Sequence, residues 1–216
     1  MHDDQHTISQ AVIDTARAMS ARGLSPGRSG NVSSRFGQGM LITPSGMAYD
    51  AITPDDVVAM TADGATKGNR RPSSEWRFHL AAYQKRPDMQ AIVHTHSMHA
   101  TVLACAHKSI PAFHYMVAAA GGRDIPLVPY ATFGTEALSR HVADGVAERN
   151  ACLMANHGQI AMGVTLAAAL ELAADVEVLA EQYWKVLLLG KAHVLPDAEM
   201  DLVIQRFKSY GQKAQG

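Results

Sequence analysis

Gln90-Ala-Ile-Val-His-Thr-His96 is the stretch from which the rest of the chain is read. Its apolar middle predicts a short buried strand over 90–95, with Pro87 ending the segment before it. In a strand, residues i and i+2 face the same side, so His94 and His96 point one way, about 7 Å apart at the backbone. Two imidazoles so placed suit two ligands of one ion. Two exposed histidines at a strand end is the plainer alternative.

Working outward, Ser73 or Ser74 is a good N-cap, which puts Glu75 in the first turn of a helix running to about Lys85. Further upstream, residues 8–22 carry Ile8, Val12, Ala16 and Met19 at near-helical spacing, and Leu24–Gly30 breaks regular structure. Asn31–Phe36 and Met40–Thr43 flank Gly37-Gln-Gly39 and predict a hairpin. A helical turn at 53–56 precedes a strand over 57–60. Downstream, helices are expected over 97–106, 135–149, 165–189 and 196–210. Short strands are expected over 125–130, 151–155 and 159–162. Strands joined by hairpins as often as by crossovers predict an α/β fold: one domain over 1–216, a mixed, mainly antiparallel β-sheet with helices on both faces.

The composition narrows the function. With Lys plus Arg at 19 and Asp plus Glu at 20, the net charge of -1 does not drive the chain onto nucleic acid or an anionic membrane. The long apolar run 165–189 contains Glu171, Asp175, Glu177, Glu181 and Lys185, too many charges for a membrane span. Two cysteines make no disulfide framework, and a reducing, cytoplasmic setting is expected. No GxxxxGK[ST] occurs, and no GxGxxG follows a strand. Eleven histidines are the compositional oddity.

Three further places could carry chemistry. His157, in Asn156-His-Gly158, sits at a turn between two apolar strands, where Gly158 fits a tight bend. Glu75 reads either as a carboxylate placed for the helix dipole or as a fourth metal ligand or general base. Three neutral histidines and a carboxylate make a good set for zinc. His79, four residues on, competes for the same role. The small polar loops Gly30-Asn31, Ser45-Gly46 and Ser73-Ser74 could hold a phosphate without a lysine, or be ordinary turns and caps.

Taken in order, Gly30-Asn-Val-Ser33, Leu41-Ile-Thr-Pro-Ser-Gly46, Ser73-Ser-Glu75, His94-Thr-His-Ser97, His114–Gly122, Pro129–Gly134 and Asn156-His-Gly158 resemble the class II aldolase/adducin family. The later segments, with Lys208-Ser-Tyr-Gly211, are most similar to its L-fuculose-1-phosphate-cleaving members. The resemblance implies Zn2+, or another divalent transition metal, held by His94, His96 and His157 with Glu75 beside it. It implies phosphate binding by Gly30, Asn31, Ser45, Gly46, Ser73 and Ser74, and an aldehyde pocket shaped by Phe133 and Tyr210. Glu75 and Tyr115 become the catalytic pair, Tyr115 reaching in from a neighbouring subunit of a fourfold homotetramer with active sites at the interfaces.

The implied reaction is retro-aldol cleavage of a 1-phosphoketose to dihydroxyacetone phosphate and a small aldehyde. Zinc would act as the Lewis acid, so no Schiff-base lysine is needed, and Lys67, Lys85 and Lys108 have no helpful context. Related chemistries stay open: cleavage of 5-deoxyribulose, 5-methylthioribulose or ribulose 1-phosphate in salvage, 4-epimerisation of a pentulose phosphate, or a non-catalytic adducin-like module. Arg123-Asp124 departs from the expected pattern, as an aldehyde-pocket change or a surface one.

Overall fold

The computed structural model describes residues 2–207, with side chains from residue 5 onward. Tyr210 and the 208–211 segment lie outside the described residues. The chain runs α1 (His2–Ala21), β1 (Asn31–Phe36), β2 (Gly39–Ile42), β3 (Val58–Met60), β4 (Thr66–Lys67), α2 (Trp76–Lys85), β5 (Ala91–Thr95), α3 (Met98–Cys105), β6 (Leu127–Val128), α4 (Glu136–Gly145), β7 (Ala151–Met154), β8 (Gly158–Gly163), α5 (Leu166–Leu189) and α6 (Asp197–Phe207). Short 3-10 turns stand at Tyr49–Ala51, Pro54–Asp56 and Tyr115–Ala120.

The strands form one sheet in the order β4-β3-β2-β1-β5-β8-β7-β6. Every pairing is antiparallel except β6 with β7. The expected mixed, mainly antiparallel sheet is therefore present. Side-chain alternation gives each face its own core. Ala91 and Val93 pack with Val12, Met19, Leu103 and Val176 from α1, α3 and α5. Ile92 points the other way, among Phe78, Tyr83, Leu138 and Val142 from α2 and α4. Helices thus cover both faces, as the interleaved sequence predicts.

Several boundaries differ. The helix expected over 135–149 ends at Gly145, whose added Cβ would meet Val128 at 2.4 Å and Cys152 at 3.1 Å, so α4 lies close to the sheet there. The strand over 125–130 shrinks to Leu127–Val128. Strand β4 is an exposed two-residue pair with no apolar signal to find. Arg123 pairs with Asp197 and Asp201 of α6, and Asp124 with Arg149, so this departure lies in surface ion pairs outside the cleft described next.

The register places the ends that matter. Asn31, opening β1, sits opposite His94 near the end of β5. His94 in turn sits opposite Ile160 of β8, whose start follows the His157 turn. Three segments distant in sequence therefore open on one end of the sheet centre.

Candidate metal centre and cleft

His94 is fully buried, and its Nδ1 lies 2.8 Å from the Gln159 carbonyl oxygen. A carbonyl only accepts, so Nδ1 donates and Nε2 presents a lone pair. That Nε2 faces His96 Nε2 at 3.0 Å and Glu75 Oε2 at 3.1 Å. His157 Nε2 lies 2.9 Å from Glu75 Oε1. One ligand atom from each of Glu75, His94, His96 and His157 falls within a mutual 4.8 Å. Converging lone pairs and a carboxylate repel one another unless a cation or a proton sits among them. The donor set therefore fits a divalent metal, and these four residues could hold one.

Glu75 reaches this place by not joining its helix. It is the N-cap of α2, at φ -102 and ψ 9, and its side chain makes no cap hydrogen bond. The expected first-turn position is thus off by one, and the carboxylate faces the histidines. Burial would raise its carboxyl, but when a proton rather than a metal stands among these groups, positive charge on His94 and the bonds that the protonated His157 and His94 rings then make hold it well below the usual carboxylate range. His96 is pushed down to about 3, by burial first and then by charge at His94 and His157.

The turn carrying His157 differs in detail from expectation. Asn156, not Gly158, takes the left-handed conformation, with φ 55. Gly158 is required by a close approach: a Cβ there would lie 2.3 Å from the Thr95 carbonyl oxygen and 3.1 Å from the His96 ring.

His79 is not in the metal group. It is fully buried beneath it, bonded to Asn31 and Ser33. Burial, with charge at His94, pushes its imidazole down to about 3.

Beside the four ligand candidates opens a cleft of about 460 Å³. Gly30, Asn31, Ser45, Gly46, Ser73 and Ser74 all line it, and so does Phe133. The two serine loops are laced together: Ser45 N–H donates to the Arg71 carbonyl and Ser73 N–H to the Thr43 carbonyl. Those two amides are therefore not directed at a ligand, contrary to the simplest loop reading. The cleft also holds Arg28, Tyr130 and Asn156, which sequence reasoning missed. Arg28 donates to the Gly46 carbonyl at 3.0 Å, and only its position two residues before Gly30-Asn31 could have signalled it. Tyr115 is absent from this cleft. It is half exposed and lines a separate groove with Leu202 and Val203 of α6.

A buried donor set of three imidazoles and one carboxylate that could hold a metal ion stands next to small polar loops in a small-molecule cleft. A profile described as Class II Aldolase and Adducin N-terminal domain matches residues 10–184, and the chain belongs to that family. It is 51% identical over 208 residues to "5-methylthioribulose-1-phosphate/5-deoxyribulose-1-phosphate aldolase" of Rhodospirillum rubrum, covering 96% of this chain and 94% of that one. It is 47% identical over 209 residues to "L-fuculose phosphate aldolase" of Escherichia coli K12, covering 96% and 97%. A solved "L-fuculose 1-phosphate aldolase" superposes with a TM-score of 0.91 at 40% identity, over 94% of this chain and 96% of the other. The chain is a class II aldolase, which sets the non-catalytic reading aside.

Proposed function

We propose that the enzyme cleaves a 1-phosphoketose to dihydroxyacetone phosphate and a small aldehyde. The observation that carries this is the continuity of one cleft from Glu75, His96 and His157 to the serine loops and Arg28 at one wall and to Tyr130, Ala131 and Phe133 at another. A phosphate fits the first wall, where Arg28 supplies positive charge. An aldehyde with an apolar end fits the second.

His94, His96 and His157, with Glu75, would hold zinc, which when bound supplies a Lewis acid where negative charge develops as the carbon–carbon bond breaks. Asn31, Ser45, Gly46, Ser73 and Ser74 hold the phosphate and fix the orientation of the remaining carbons. Glu75 moves the proton at C3. Tyr115 of a neighbouring subunit takes the C4 hydroxyl proton in cleavage and returns it in synthesis. Its exposure, and its absence from its own chain's cleft lining, support a shared site in a homotetramer.

The substrate reading includes L-fuculose 1-phosphate and its 5-deoxy and 5-methylthio ribulose counterparts. All share the dihydroxyacetone phosphate half and end in an apolar group, and the relatives at 51% and 47% identity divide between them. A kinetic panel of these phosphates with the zinc-loaded enzyme tests the proposal. Dihydroxyacetone phosphate release from at least one is expected. Release from none overturns it.

A further inference from the structure

A line of buried polar groups runs away from Glu75 into α2 and β1, and beyond Asn31 the reaction above leaves it unused. Asn31 Nδ2 lies 2.9 Å from Glu75 Oε2, and Asn31 Oδ1 lies 2.5 Å from His79 Nε2. His79 Nδ1 lies 2.7 Å from Ser33 Oγ, which lies 3.0 Å from the Tyr83 hydroxyl. Asn31 and Tyr83 are 4% and 3% exposed, and Ser33 and His79 not at all.

The end group fixes the direction of the bonds as far as Ser33. An ionised carboxylate only accepts, so Asn31 must turn its NH2 toward Glu75. Its amide oxygen then faces His79, and that oxygen also only accepts, so His79 Nε2 carries the hydrogen. Burial keeps the ring neutral, which leaves Nδ1 as a lone pair. The Ser33 hydroxyl donates to that lone pair, and the single hydrogen of the Tyr83 hydroxyl is left for the Ser33 hydroxyl or carbonyl oxygen. The opposite tautomer would turn the Asn31 oxygen against the Glu75 oxygen, with both groups buried.

We propose that His79 is a positioning residue of the aldolase site, whose Nε2–H locks the Asn31 amide with its NH2 between Glu75 and the phosphate end of the cleft. The proposal rests on the aldolase reading. Asn31 has two amide hydrogens. One is held by Glu75, and the proposal assigns the second to a phosphate oxygen, since Asn31 lines the cleft with Ser45, Gly46, Ser73 and Ser74. One side chain thus sets the separation between the base and the phosphate. A loosened amide can rotate and present its oxygen to two anions.

The test uses two substitutions of nearly equal shape. His79→Gln keeps an N–H that can reach Asn31 from the Nε2 position, whereas His79→Met does not. Turnover per bound zinc is expected to fall about tenfold or more in His79→Met, the scale set by lost partners of site residues, with zinc content unchanged. His79→Gln should recover most of it. Equal turnover in the two variants, or a wild-type rate in His79→Met, overturns the proposal. A second measurement needs no variant to be active. In the 15N-histidine-labelled wild-type holoenzyme, assigned by loss of the signal in His79→Gln, His79 should show a protonated Nε2 and an unprotonated Nδ1 throughout the neutral range. A protonated Nδ1 overturns the proposal. Absence of turnover by the zinc-loaded wild type on every phosphoketose would instead sink the aldolase reading, and the tautomer measurement separates the two failures.

Discussion

Glu75 shows how single residues decide this site, and how much of that a sequence can reveal. Strand parity points to the pairing of His94 with His96, and their Nε2 atoms do meet although β5 ends at Thr95 and His96 follows it. No spacing rule ties His157 or Glu75 to them: the pairing of β5 with β8 brings in His157, and the Ser73 N–H bond to the Thr43 carbonyl, with the Asn31 amide on its carboxylate, holds Glu75 there. The competing role for His79 failed because Glu75 is an N-cap, so helical spacing from it does not point both side chains at one place. Glu75→Gln should keep zinc while turnover falls about 10²–10⁴-fold, which metal analysis beside steady-state kinetics would show. An undiminished rate would remove it from the chemistry. Gly158→Ala should destabilise by about 1–3 kcal/mol and weaken zinc binding, since the Thr95 carbonyl stands 2.3 Å from the new Cβ. The buried imidazole of His79 adds a pH dependence. Its value drops from 6.5 to about 3 on folding, so between those values the unfolded chain binds more protons. Its contribution is therefore intact above 6.5 and is lost as pH falls through that window. Urea midpoints of the metal-free protein should decline over the same range, less steeply in His79→Gln.

At the scale of elements, periodicity located most helices and strands, and contacts between elements were what it could not supply. Helix α3 begins two residues after His96, and its first turn is capped from α5. The Glu177 carboxylate accepts from the backbone N–H of His99 at 2.8 Å and of Ala100 at 2.9 Å, and also contacts His99 Nδ1 at 2.8 Å. Nothing in the local sequence announces a cap lent from 78 residues away. Glu177→Ala should cost about 1–2 kcal/mol of stability, as other lost caps do. Thermal denaturation measures it, and an unchanged midpoint would mean that water replaces the carboxylate there. Arg123 meets α6 differently, through exposed ion pairs with the Asp197 and Asp201 side chains rather than by capping its backbone.

For the whole molecule, the fold class followed from the alternation of elements, but the strand order did not. Placing β5 between β1 and β8 requires long-range pairings that leave no mark in a local window. The sheet has a core on each face, so the fold is expected to stand without a metal. A chelator should abolish turnover while circular dichroism stays nearly constant. Loss of both together would make the ion structural. The shared-site proposal has its own test. Glu75→Gln and Tyr115→Phe, each inactive, should regain partial activity when refolded as a mixture, because some interfaces would join the two intact groups. Mixed oligomers that stay inactive would place both groups in one chain.

The register that sets Asn31 against His94, and His94 against Ile160, has a consequence for how the protein comes to be. The ligand candidates belong to segments that meet only when these distant strands have found each other, and pairings of such long sequence separation form slowly. Zinc affinity should then arrive late. In a refolding experiment with a zinc-sensitive dye, uptake should follow the slowest phase rather than the initial collapse, making the metal a clock for completion of the sheet.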